Sequence, residues 1–256
     1  MSPSRPLLLC CSGHDPTGGA GIHADIESAA ANGAHALTVI TAQTVQDTRN
    51  VSRVVPTAPI LLAAQLEALL ADCEVRAIKI GLIGDAAQIP PLLAAIRRAQ
   101  VPVVLDPVLR AGGGLELLNA AAVAALRADL LPAVDLLTPN AAEARRLAPE
   151  AATLADCGAA LLKLGCRNVL ITGGDEPGDP VVNTWFGTHG TTRFEWPRLP
   201  GGFHGAGCTL AAAIAARLAG GETMEAALGR AQEYTQRTLA AALRIGEGRA
   251  IPDRRA

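Results

Sequence analysis

No run of lysines or arginines crosses this 256-residue chain, and its 22 basic side chains nearly balance 24 acidic ones. A track for a phosphate backbone needs clustered positive charge, so nucleic acid is not the expected partner and a small ligand is. Segments of membrane-spanning length are also lacking. The start, MSPSRPLLLCCSGHD, holds only a five-residue apolar stretch, too short for a signal-peptide core. The expectation is a cytoplasmic protein without a membrane partner. Six cysteines, at positions 10, 11, 73, 157, 166 and 208, form no CxxC pair and no Cys/His cluster. That supports neither a zinc site nor a disulfide framework, and Cys10, Cys11, Cys73, Cys157 and Cys166 read most simply as small buried hydrophobes. Repeats, low-complexity tracts and linkers are missing as well. A chain of this length, half of it hydrophobic, can bury one substantial core, so residues 1–256 are expected to form a single domain.

Apolar runs of strand length recur at LLLCC, ALTVIT, AIKIGL, VPVVLD, VDLLTP and NVLITGG, with ten to twenty residues of helical pattern between most of them. This alternation predicts an α/β fold whose parallel sheet is covered on both faces by helices. The stretch from Pro180 to Pro197 instead predicts a hairpin at one sheet edge. Two helices, roughly 206–219 and 222–244, follow it. In open parallel sheets ligands sit beyond the carboxyl ends of the strands. Four polar or glycine-rich segments, SGHDPTGGAG, TAQTVQDT, DPVLRAGGG and TPNAAE, follow strand runs and point to one shared site.

Three of these clusters carry chemistry. In HGAGCT, the backbone N–H groups of Ala206, Gly207 and Cys208 open a helix, where unpaired donors and the helix dipole favour an anion. The competing reading is an ordinary glycine-rich helix start. Cys208 at this place can be a partly activated thiol, because helix N-termini lower thiol pKa. Asn140 and Glu143 of TPNAAE stand three apart on a first helical turn, either as a capping pair or as side chains aimed at one spot. Asp106, ending a strand before Pro107, is a candidate for organising a metal and its waters. The glycines of GGAG allow close backbone approach but lack both GxxxxGK[ST] and GxGxxG spacing, so neither a Walker P-loop nor a dinucleotide fingerprint is present. His14, His23, His35 and His189 are scattered without ligand spacing; His204 alone adjoins the anion turn.

Taken together, SGHDPTGGAGIHAD, VITAQTVQDT, IKIGLIG, VVLDPV, LTPNAAEA, ITGGD and HGAGCTLAAAIAA resemble the hydroxymethylpyrimidine/phosphomethylpyrimidine kinases of thiamine biosynthesis, in family order over nearly the whole chain. The resemblance implies a ribokinase-like three-layer αβα sandwich with a mostly parallel central sheet. It implies ATP-dependent, Mg²⁺-assisted phosphorylation of 4-amino-5-hydroxymethyl-2-methylpyrimidine and then of its monophosphate. Gly205, Ala206, Gly207 and Cys208 would form the anion hole for the transferring phosphoryl group. Asp106 and Glu143 would order the metal, with Asn140, Thr172 and Gly173 on the nucleotide side. Gln46 would hydrogen-bond the aminopyrimidine, and Ala20, Gly21, Leu82 and Val108 would line its ring. Relatives of this kind are commonly homodimers. The chain departs from the family in three places: Leu82 where methionine is common, Thr172 where lysine often precedes GGH, and RLPGGF before HGAG. Two other functions remain open at this stage, a pyridoxal-type vitamin kinase and a pyrimidine-binding sensor without turnover.

Overall fold

The computed structural model describes residues 5–110, 114–188 and 190–256, so Ala111–Gly113 of the RAGGG segment and His189 lie outside the described residues. Each apolar run of the sequence is a strand or contains one. The chain runs β1 (Leu7–His14), α1 (Gly21–Ala31), β2 (His35–Gln46), β3 (Val51–Pro56), α2 (Pro59–Asp72), β4 (Val75–Ile80), α3 (Ile89–Ala99) and β5 (Val103–Leu105). It continues as α4 (Ala120–Ala125), β6 (Leu136–Leu137), α5 (Ala141–Leu147), α6 (Leu154–Lys163) and β7 (Val169–Ile171). A hairpin of β8 (Val181–Gly187) and β9 (Gly190–Trp196) precedes α7 (Ala206–Ala219) and α8 (Met224–Ala240).

One nine-stranded sheet collects all of these strands in the order β3-β2-β1-β4-β5-β6-β7-β8-β9. The inner pairs from β2 to β7 are parallel, and the pairs β2–β3, β7–β8 and β8–β9 are antiparallel. Successive strand side chains point to opposite faces. Leu9 and Cys11 of β1 accordingly join a core with α2 to α6, while Leu8 and Cys10 join a second core with α1, α7 and α8. Two buried faces explain why these strands read as continuous apolar runs rather than alternating ones. The fold is the three-layer ribokinase-like sandwich that the resemblance implies.

Three details differ from the sequence reading. The TAQTVQ segment belongs to β2 itself, because β3 folds back on it and extends the strand past the sheet body. A second antiparallel edge is thereby formed where only the hairpin was expected. Its strand VSRVVP is short, mostly exposed and paired on one side, so it carries no apolar-run signal. Finally, Cys73 is half-buried at the end of α2, not a core residue, whereas Cys10, Cys11, Cys157 and Cys166 are buried; all six cysteines are free.

The topology places the site. The chain leaves β1 toward β2 on one side and returns to β4 on the other, so a crevice opens at the carboxyl ends of β1 and β4. Alanines 211, 212, 213, 215 and 216, all buried, let α7 lie close over the sheet with its N-terminus at that crevice.

Candidate active site

A cleft of about 940 Å³ occupies this crevice. Every residue proposed from the sequence lines it except Gly173. Gly173 is buried against β8, with its N–H donating to Asn183 Oδ1 at 3.0 Å, and its neighbour Gly174 takes its place on the wall.

At the centre of the cleft α7 begins. Gly205, its N-cap, has a φ of 87°, and a Cβ there would collide with the Gly19 carbonyl oxygen. Glycine is therefore required at this position. The next amides, of Ala206, Gly207 and Cys208, belong to the first turn and have no intrahelical acceptor. They form an opening suited to an anion.

Cys208 lies on this turn, near enough to the Asp106 carboxylate to feel its charge. Burial, reinforced by the charge of Asp106 and opposed by Lys79, pushes the thiol up to about 12. The expected activation by the helix start is outweighed by these effects. Cys208 is thus a neutral side chain at neutral pH, and the activated-thiol reading is corrected.

Beneath Cys208 lies a polar network that the sequence reading missed. Lys79 of β4 is fully buried, with Nζ 2.7 Å from Asp25 Oδ1 and donating to Ser12 Oγ at 2.9 Å. Ser12 Oγ donates to Asp25 Oδ2 at 2.6 Å. Burial alone would depress the lysine, but the charges of Asp25 and then Asp106 raise it above its ordinary value. It is a permanent cation under the anion opening. The signal was available: a single lysine inside the apolar run AIKIGL has no place on a doubly covered strand unless it is paired.

Asp106 and Glu143 face the cleft, both nearly buried. Burial raises the Asp106 carboxyl, against the pull of Lys79 and of the neighbouring Cys208. Glu143 is raised to about 8, by burial first and then by the charge of Asp106. Its carboxylate also completes the capping box expected of TPNAAE: Glu143 Oε2 accepts from Asn140 N–H at 3.0 Å, and Asn140 Oδ1 accepts from Glu143 N–H at 2.8 Å. Its other oxygen accepts from Leu109 N–H at 3.3 Å. Capping and cleft-facing roles coexist in one residue. Two buried carboxylates, one of them raised by the charge of the other, would be stabilised by a neighbouring cation, and they fit Mg²⁺ held largely through water and phosphate.

On one side of this centre lie Ala20, Gly21, Gln46, Leu82 and Val108. Gly13 gives Leu82 room, since a Cβ on Gly13 would come 2.8 Å from Leu82 Cδ2. Asp15, also missed from sequence, folds the glycine turn by accepting from Thr17 N–H at 2.8 Å and Ala20 N–H at 2.9 Å. Its carboxylate also pairs with His204 Nε2 at 2.7 Å. Burial would raise Asp15, but the His204 and Thr17 hydrogen bonds hold it down at about 2.

On the other side lie Thr172, Gly174 and Asp175, with Asn183, Trp196 and Gln232. Asn183 Nδ2 and Trp196 Nε1 both donate to Gln232 Oε1, at 2.8 and 3.1 Å. The two unusual segments meet here. Arg198 of RLPGGF donates to the carbonyls of Gly174 and Glu176, at 3.0 and 2.7 Å, and to that of Gly178. RLPGGF therefore shapes the loop that follows ITGGD.

An anion opening on a central helix, a cation beneath it and paired carboxylates beside it, at the switch point of this sheet, define a small-molecule phosphotransferase of the ribokinase-like class. The comparisons with known proteins narrow this further. The sequence model for phosphomethylpyrimidine kinase matches residues 15–253, and the chain belongs to that family. It is 38% identical to the hydroxymethylpyrimidine/phosphomethylpyrimidine kinase of Rhizobium meliloti, over 95% of this chain and 94% of that protein. The Escherichia coli enzyme of the same name is 41% identical, over 83% of this chain and 82% of its own length. Among solved structures, the ADP complex of Bacillus subtilis pyridoxal kinase superposes with a TM-score of 0.91 at 28% identity, covering 99% of this chain and 98% of that one.

Proposed function

We propose that this protein transfers the terminal phosphoryl group of ATP first to the hydroxymethyl group of 4-amino-5-hydroxymethyl-2-methylpyrimidine and then to the resulting monophosphate, supplying the pyrophosphate for thiamine synthesis. The observation that carries this reading is the position of the anion opening, Ala206 to Cys208, between a wall of Ala20, Gly21, Leu82, Val108 and Gln46 and a polar wall containing Thr172 and Asn140. An acceptor on the first wall and a nucleotide on the second would bring their reacting ends to the same helix start.

The residues then divide the work. Gln46 offers an amide donor and acceptor to the aminopyrimidine, while Ala20, Gly21, Leu82 and Val108 contact the ring. The amides of Ala206, Gly207 and Cys208 stabilise charge on the transferring group, with Lys79 behind them adding a fixed positive field. Asp106 and Glu143 would hold Mg²⁺ through its waters, with Asn140 and Thr172 toward the nucleotide. When bound, the metal offsets the negative charge of the phosphates. Cys208 supplies a small uncharged surface rather than a base. That suits the second acceptor, a phosphate monoester with a second pKa of about 6, which is largely ionised already. Catalysis rests on positioning and charge stabilisation. In this reading the protein is one kinase domain, acts in the cytoplasm and pairs as a homodimer.

A pyridoxal-type kinase shares the fold and the central chemistry. ADP release measured with hydroxymethylpyrimidine, its monophosphate and pyridoxal separates the two. The proposal requires kcat/KM to be highest for the pyrimidines; preference for pyridoxal overturns it, and no ADP release with any acceptor favours a non-catalytic binder.

A further inference from the structure

The ring wall at Ala20 and Gly21 and the anion helix at Ala206 come from opposite ends of the sequence, yet phosphoryl transfer needs a fixed spacing between them. Two links join them. The first is the His204–Asp15 pair. The second is Arg254, whose side chain is fully buried behind both turns. Its Nε donates to Thr209 Oγ1 at 2.9 Å, and Thr209 Oγ1 donates in turn to the Gly205 carbonyl at 2.8 Å. Nη1 donates to the Gly18 carbonyl at 3.1 Å and to Glu27 Oε2 at 3.0 Å, and Nη2 donates to the Gly19 carbonyl. The segment itself is anchored on α8, where Tyr234 Oη donates to the Arg254 carbonyl at 2.9 Å.

This arrangement has two physical consequences. A planar guanidinium bonded at all three nitrogens fixes both turns in one geometry, which a flexible ammonium cannot reproduce. It also draws the carbonyl dipoles of Gly18 and Gly19 toward itself, so that these oxygens are engaged away from an incoming phosphate. The positive charge stands directly behind the helix start, since a Cβ on Gly205 would lie 3.0 Å from Arg254 Nη2.

We infer that Arg254 is a positioning residue for phosphoryl transfer, setting the spacing between the acceptor wall and the anion opening by tying the Gly18–Gly19 turn to Thr209 of α7. The inference rests on the kinase reading above. Its test uses the full chain with ATP, Mg²⁺ and hydroxymethylpyrimidine, comparing wild type with Arg254→Met, Arg254→Lys and Thr209→Val. The quantities are kcat, both KM values and the ratio of phosphorylated pyrimidine to ADP, with circular dichroism to confirm folding. Misplacement by about an ångström costs about a hundredfold in rate. Arg254→Met should therefore lose about that factor in kcat, with KM values near wild type and a falling product-to-ADP ratio as water replaces the misaligned acceptor. Arg254→Lys should recover part of the loss, and Thr209→Val should shift kcat and the ratio in the same direction by less. A folded Arg254→Met with wild-type kcat and ratio overturns the inference. If Arg254→Met does not fold, wild-type kcat and ratio in Thr209→Val overturn it instead. Absence of ADP formation in the wild type would sink the kinase reading itself.

Discussion

Cys208 shows how one residue's surroundings decide its chemistry. A helix start lowers a thiol, but burial and the adjacent Asp106 carboxylate win here and leave it neutral. Replacing it with aspartate would set a second carboxylate against Asp106 and against an anionic acceptor. Cys208→Asp should slow the second phosphorylation at least tenfold more than the first, since about 1.4 kcal/mol of added repulsion costs that factor. Cys208→Ser, small and uncharged, should keep both steps. Single-turnover rates for each acceptor decide it, and equal losses of the two steps in Cys208→Asp would contradict the charge argument. Asp15 permits a pH test. Its pKa is held at about 2, below the unfolded value of 3.8, so its contribution to stability is present above pH 4 and is lost as pH falls toward 2. Asp15→Asn should lower stability by roughly 1–2 kcal/mol at pH 6 and by little at pH 2, measured by urea unfolding at both pH values. Among site residues, those in glycine- or turn-rich motifs were legible in the sequence. Asp25 was not, because its meaning lies in Lys79, far along the chain, and the pairing of Asp15 with His204 was hidden for the same reason; the lone lysine of AIKIGL was a signal left unread.

At the scale of elements, α7 carries the site, and its two glycines are predicted to behave differently. Gly205 has a left-handed backbone and presses on the Gly19 carbonyl, whereas a Cβ on Gly207 would meet only Asp106, at 3.8 Å. Gly205→Ala should therefore cost roughly 2 kcal/mol or more of stability together with activity. Gly207→Ala should leave thermal stability near wild type, or slightly higher, as expected for alanine in a helix. Thermal unfolding of the two variants checks the contrast; equal destabilisation would contradict it. The span of α7 was readable from its alanine run and glycine start. So were β1, β4 and β7, as long apolar runs between glycine-rich turns. β3 was not readable, since an edge strand with one neighbour needs no apolar pattern, and the full length of β2 was hidden with it.

The whole molecule is held together by contacts that local pattern cannot predict. The C-terminal tail returns to the N-terminal half: Arg249 N–H donates to the Thr48 carbonyl at 3.0 Å, and Arg254 binds the Gly18–Gly19 turn. Strand-and-helix alternation gave the class of fold, and motif order gave the family, but neither revealed how the two ends close over one cleft. On the proposal above, this cleft phosphorylates one pyrimidine twice in succession. Phosphorus NMR of the purified protein with Mg²⁺, ATP and hydroxymethylpyrimidine follows both products directly. A monophosphate resonance should rise first and then give way to the two resonances of a pyrophosphate. Failure of either pyrimidine product to form, with phosphorylation seen only when pyridoxal is supplied, would contradict it.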